Sequence, residues 1–176
     1  VEGVDFAYAP EEPVLSGVTF SVDAGETVAV VGPTGSGKTT LMHLLARFYD
    51  PNRGHIRIDG RNLSDLPARR HRSRIALVTQ DPFLFSASIR DNIAMGRGDL
   101  SADRLEQIAD AAQCRRLVAQ LPDGFDTVLT EGGGSISSGE RQLLSIARAF
   151  AREPDLILLD EATSYIDSET EQRVQA

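Results

Sequence analysis

The stretch that most constrains this chain is Gly32-Pro33-Thr34-Gly35-Ser36-Gly37-Lys38-Thr39, which lies between an apolar, β-compatible run at Thr27–Val31 and a helix expected from about Lys38 to Phe48. It fits the Gly-x4-Gly-Lys-Thr phosphate-loop pattern, Walker A, in full. Strand, glycine loop and helix N-terminus in that order make an anion cradle. Glycines let successive N–H groups turn inward, and the helix end adds partial positive charge. A glycine-rich surface turn would account for the residues singly but not for their placement. The expected ligands are ATP and Mg²⁺. Gly32, Pro33, Thr34, Gly35, Ser36 and Gly37 would wrap the phosphates, and Lys38 would bridge the β- and γ-phosphates. The Thr39 hydroxyl would coordinate Mg²⁺, with Thr40 available to a phosphate.

At 176 residues and 41% apolar, the chain suits one domain, or one domain with a subdomain inserted into it. It starts at Val1 and stops at Ala176 inside an expected helix, so it reads as a piece truncated at its C-terminus. Its apolar runs fall short of the ~20 residues a membrane-spanning helix requires, so this piece is expected to be soluble. A formal net charge of −8 argues against nucleic acid as a partner. The local cluster Arg69-Arg70-His71-Arg72 with Arg74 reads as a solvated helix face. Cys114, the single cysteine, reads as a small buried hydrophobe, without disulfide, metal or thiol chemistry.

Alternation and turn residues predict strands at Val4–Tyr8, Val18–Val22 and Thr27–Val31, separated by Pro10–Pro13 and Asp23–Glu26, with antiparallel character. Further strands are expected at His55–Ile58 and Ile75–Thr79. Asp81–Ala151 reads as mostly helical, with Ser101 capping a helix that carries Leu105, Ile108, Ala109 and Ala112 at helical spacing. Leu156–Leu159 reads as a parallel strand buried on both faces. Ser168-Glu169-Thr170-Glu171 offers a capping box for a last helix. The expected class is α/β: a RecA-like P-loop NTPase core over 1–80 and 152–176, with an N-terminal antiparallel β-subdomain and a helical subdomain, 81–151, inserted.

A phosphate loop by itself binds, whereas hydrolysis needs an acid to place Mg²⁺ and a group to position water. Leu156-Ile157-Leu158-Leu159-Asp160-Glu161, four apolar residues and an acidic pair, has the Walker B arrangement. Asp160 would hold Mg²⁺ through a water and Glu161 would polarise the nucleophilic water. Taken alone, the pair could equally begin a loop or helix with favourable charge.

Ile136-Ser137-Ser138-Gly139-Glu140-Arg141-Gln142 resembles the signature motif of ABC ATPases, usually Leu-Ser-Gly-Gly-Gln followed by Arg-Gln, and the resemblance extends over essentially the whole chain. It implies that Ser137 and Gly139 face the γ-phosphate held by a second ABC ATPase domain, so that two domains enclose two ATP molecules. Tyr8 resembles the aromatic that stacks on adenine, although an exposed strand-end tyrosine is an equally good local reading. Gln80 resembles the Q-loop glutamine that touches Mg²⁺ or the attacking water. Ser164-Tyr165-Ile166-Asp167 resembles the D-loop. Asp81–Ile93, with Phe83-Leu84-Phe85, is very similar to the segment that receives a membrane-domain helix in ABC exporters of the multidrug/lipid type; the apolar triplet would also suit a core. The implied function is an ATP-hydrolysing motor at the cytoplasmic face of the cell membrane. Its implied partners are a second ATPase domain and a transmembrane domain, in the same chain or complex.

Several positions depart from the pattern. The signature has Ile136 for Leu, Ser138 for the first Gly and Glu140 for Gln. A heterodimer with a differently signed partner therefore stays open. None of His43, His55 or His71 matches the family's switch histidine, which lies beyond the D-loop, so the chain is expected to bind nucleotide better than it hydrolyses it. Two other readings stand beside the motor: a weakly catalytic nucleotide-binding partner, and a soluble ABC ATPase of DNA repair or translation.

Overall fold

The computed structural model describes residues 1–95, 100–162 and 170. The expected D-loop, Ser164–Asp167, lies outside the described residues, as does the expected terminal capping box apart from Thr170. The chain divides into two compact units, Val1–Ile75 and Ala76–Ala176.

In the first unit, strand β1 (Glu2–Ala7) pairs antiparallel with β2 (Pro13–Val18), Val4 facing Val18 and Phe6 facing Leu15. Its other edge carries β3 (Arg53–His55), giving the order β2-β1-β3. Alternation turns Val4 and Phe6 inward, and both are buried with Leu15, Ile56 and Leu63. Helix α1 (Lys38–Leu45) adds Leu41 and Leu44, three residues apart on one face. The antiparallel character read from the sequence is observed.

Several boundaries move. The second strand is Pro13–Val18 rather than Val18–Val22, because Pro13 takes the first strand position, where its missing N–H costs no ladder bond. The sheet nevertheless continues locally, since Phe20 and Val1 exchange backbone hydrogen bonds of 3.1 and 2.9 Å. Thr27–Val31 forms no strand, and Val28, Val30 and Val31 are exposed. A β-compatible run becomes a strand only through a ladder, and in this unit β1, β2 and β3 form theirs with one another. Helix α1 ends at Leu45 instead of Phe48, because Arg47 turns left-handed (φ 56°) and donates from its guanidinium to the Leu66 and Ser64 carbonyls. His55–Ile58 splits into the end of β3 and β4 (Arg57–Ile58), the latter paired with β5 (Arg61–Asn62), while Ile56 sinks into the core between them. In the short helix α2 (Ala68–Arg72) the arginines face solvent, but His71 is buried against the Leu45 carbonyl at 2.8 Å.

The second unit pairs β6 (Ile75–Val78) with β7 (Leu156–Leu159), and its described helices include α3 (Ile89–Ala94), α4 (Ala102–Ala111), α5 (Arg115–Gln120) and α6 (Ser138–Ala151). Ser101 caps α4 by accepting the Arg104 N–H at 3.2 Å, and Leu105, Ile108, Ala109 and Ala112 are buried as their spacing predicts. Cys114 is buried as well, which pushes its thiol up to about 12. Strand β7 differs from expectation: Leu158 is buried but Ile157 is 37% exposed, since among the described residues β7 has a ladder neighbour only in β6.

One buried polar network ties this unit together. The Asn92 side chain accepts from Phe85 N–H at 2.8 Å and donates to the Phe85, Ala87 and Ser88 carbonyls. Arg148 on α6 donates to Asn92 O, Asn92 Oδ1 and Phe83 O, and stacks over Phe85. Burial acts against the Arg148 charge and lowers its pKa, and these acceptors offset that cost.

Two stability outcomes follow. Gly37, the N-cap of α1, has φ 91°, and a Cβ there would lie 2.6 Å from Leu15 Cδ2; Gly37→Ala should cost about 2 kcal/mol or more in urea unfolding. Asn92→Ala strips the 85–88 backbone of several partners at once, and should cost about 2–4 kcal/mol at unchanged urea m-value.

Candidate nucleotide site

The phosphate loop enters α1 through two left-handed glycines, Gly35 at φ 82° and Gly37 at φ 91°. That geometry is closed to most side chains and turns backbone N–H groups to one side. Lys38, the first residue of α1, folds back so that Nζ donates to the Gly32 and Pro33 carbonyls at 3.0 and 3.1 Å. The ammonium thereby spans the mouth of its own loop. A Cβ at Gly32 would meet Ser36 Oγ at 2.6 Å, so a side chain there would require the Ser36 hydroxyl to turn aside. Pro33 O accepts from Ser36 N–H at 3.2 Å, making Pro33-Thr34-Gly35-Ser36 a hydrogen-bonded turn. Thr39 and Thr40 follow within α1, Thr39 exposed and Thr40 buried. These features fit a cradle for a phosphate chain.

An aromatic cluster lies in the same unit. Tyr8, just past β1 and 52% exposed, packs edge-on with Phe6 and Tyr49 at centroid distances of 4.9 and 5.1 Å. Its hydroxyl donates to Thr40 Oγ1 at 3.2 Å and lies 3.5 Å from His43 Nδ1. The sequence pointed to the Tyr8 ring and left unseen its hydroxyl bond to α1, because a contact across 32 residues has no local signature.

In the second unit, Asp160 N–H donates to Val78 O at 2.9 Å, so the carboxyl ends of β6 and β7 lie side by side. Gln80, Asp160 and Glu161 therefore leave the sheet from the same end. Glu161 has φ 50°, a left-handed backbone rarely taken by a non-glycine residue. Gln142, completely buried on α6, donates to Gln80 O at 3.3 Å and connects the strand end to the signature helix. Its place in the helical apolar stripe with Ser145, Ile146 and Ala149 was the available signal for that role.

The signature residues open α6 with a full capping box. Ser137 Oγ accepts from Glu140 N–H at 3.2 Å, and Glu140 Oε2 accepts from Ser137 N–H at 2.7 Å. Glu140 thus takes up the Ser137 amide, while the Ser137 hydroxyl oxygen accepts from the Glu140 N–H. Ile136 is buried, where it replaces Leu with little change in volume. Before this helix, Leu84 is fully buried while Phe83 and Phe85 remain 56% and 48% exposed, so the apolar triplet divides between core and surface. Both rings border a cleft of about 260 Å³ shared with Met95, Ser145 and Arg148.

Among the described residues, no three His, Cys, Asp or Glu side chains group as metal ligands, and no helix is long and apolar enough to cross a membrane. Residues 15–164 match the family described as ABC transporter. The chain is 47% identical over 174 residues to a Mycobacterium tuberculosis protein named fatty acid ABC transporter ATP-binding/permease protein, covering 99% of this chain and 28% of that one. It is 46% identical over 176 residues to the ATP-dependent lipid A-core flippase of Chromobacterium violaceum, covering 99% of this chain and 30% of the flippase. The chain thus spans less than a third of the length of these curated relatives. A solved structure of a bacterial Atm1-family ABC exporter with ATP bound superposes with a TM-score of 0.92 at 40% identity, over 98% of this chain and 30% of that one. The mixed α/β fold, antiparallel at its N-terminus, is the fold of that exporter's matched region, and this chain belongs to the ABC transporter family.

Proposed function

We propose that this chain is the ATP-binding and ATP-hydrolysing motor of an ABC exporter, with residues 1–80 and 152–176 as the nucleotide-binding core and 81–151 as the helical signature subdomain. The observation that carries the reading is the phosphate loop: left-handed Gly35 and Gly37 leading into α1, with the Lys38 ammonium spanning the loop. Similarity to exporters along 98–99% of the chain supports it.

In this reading the backbone of Gly32, Pro33, Thr34, Gly35, Ser36 and Gly37 wraps the phosphates. Lys38 leaves the Gly32 and Pro33 carbonyls for the β- and γ-phosphate oxygens. Tyr8 carries the adenine. Thr39, Asp160 and Gln80 would hold Mg²⁺, Thr39 with its hydroxyl and Asp160 with its carboxylate. When bound, the cation neutralises charge that develops on the transferred phosphoryl group. That few carboxylates serve it agrees with the habit of Mg²⁺ to keep waters and substrate oxygens as ligands. Glu161 orients and deprotonates the attacking water, and Gln80 contacts that water or the metal. Ser137 and Gly139 of a second ABC ATPase domain, identical or not, cover the γ-phosphate, so closure depends on ATP. The exposed Phe83 and Phe85 beside their cleft would receive a helix of the transmembrane domain, at the cytoplasmic face of the cell membrane.

A specific observation also favours a second reading, a weakly catalytic partner in a heterodimer. The Ser137 amide is occupied by Glu140, a position where the family usually has glutamine. Substitution separates the two. Glu161→Gln should lower steady-state ATP turnover by about 100-fold or more while Mg²⁺-ATP affinity stays within about twofold. Turnover unchanged by Glu161→Gln would contradict the assignment of Glu161.

A further inference from the structure

A base-stacking role needs only the ring of Tyr8, yet its hydroxyl is also fixed. The ring is wedged between Phe6 and Tyr49, with interplanar angles of 86° and 87°. The hydroxyl donates to Thr40 Oγ1 at 3.2 Å, on a side chain that is 6% exposed. His43 Nδ1, from the next turn of α1, is the more distant neighbour at 3.5 Å. A threonine hydroxyl has one proton to give and two lone pairs to offer. By accepting from Tyr8, Thr40 uses a lone pair and keeps its own proton. Hydrogen bonds in a chain polarise one another, so a hydroxyl that accepts becomes a better donor. Thr40 lies two residues beyond Lys38 in the first turn of α1, where donors face an anion seated on the phosphate loop.

We propose that the Tyr8 hydroxyl is a positioning group for the phosphates: it orients Thr40 so that the threonine proton points to a phosphate oxygen, forming a relay from Tyr8 O–H through Thr40 O–H to the nucleotide. This rests on the seating of the triphosphate over Gly32–Thr40 proposed above. Tyr8 then serves both ends of the ligand, its ring at the base and its hydroxyl, through Thr40, at the phosphates.

The test uses a ligand without a base. Binding of inorganic tripolyphosphate with Mg²⁺ is measured by calorimetry on the full chain and on Tyr8→Phe, which keeps the ring and its contacts with Phe6 and Tyr49. The relay predicts a loss of about three- to tenfold in tripolyphosphate affinity. Thr40→Val should lose at least as much, Tyr8→Phe with Thr40→Val should lose no more than Thr40→Val, and Thr40→Ser should recover most of the affinity lost in Thr40→Val. Tripolyphosphate affinity unchanged in Tyr8→Phe, or losses that simply add in the double variant, would overturn the relay. Lys38→Ala distinguishes the two levels: if it abolishes tripolyphosphate binding while Tyr8→Phe has no effect, the relay alone fails. If Lys38→Ala binds tripolyphosphate like the parent, the seating on the loop fails and the relay with it.

Discussion

The tight packing of Gly37 against β2 is the constraint on which the first unit depends. At φ 91° the glycine supplies the left-handed step from loop to α1, and a side chain there would be strained and would press on Leu15 and Val14. Through that contact the start of α1 is tied to the β2-β1-β3 sheet, whose inward residues Val4, Phe6 and Leu15 also receive Leu41 and Leu44 from the helix. The loop is thus held at its helical end. Preorganisation of this kind matters for anion binding, because N–H groups already turned inward need little reordering when a phosphate arrives.

A different principle organises the second unit. There the turn between β6 and α3 contains exposed rings and a sequence of backbone groups with no strand or helix to satisfy them. Asn92 and Arg148 supply the missing partners, and Leu84 anchors the segment in the core. This lets Phe83 and Phe85 stand at the surface on a well-fixed backbone. Rigidity is what the docking of a transmembrane-domain helix proposed above would require, since a yielding loop would absorb the displacement. Gln142, fully buried between the signature helix and Gln80, extends the same logic from the aromatic segment to the end of β6.

Motifs governed by local chemistry were legible in the sequence. The Ser101 cap, the buried face Leu105-Ile108-Ala109-Ala112 and the glycine loop all follow from contacts within a few residues, and all appear. Features set by distant partners were not legible. Thr27–Val31 has the composition of a strand but no ladder, and β7 has a continuous apolar run but an exposed Ile157. Composition reports what a segment could pair with, not whether a neighbour is present. The altered signature shows the reverse case. Glu140 departs from the glutamine of the signature, and the structure gives it a local task, capping the Ser137 amide where the helix dipole favours an anion.

In the function proposed above ATP binds the loop around Gly35 and Gly37, and amide hydrogen exchange on the full chain reads that binding. With saturating Mg²⁺-ATP, amides from Gly35 to Thr40 should exchange more slowly, because they become donors to phosphate oxygens, and Lys38→Ala should abolish that protection at the same nucleotide concentration. Exchange at 35–40 that is indifferent to Mg²⁺-ATP, or protection there that survives Lys38→Ala intact, would contradict the account.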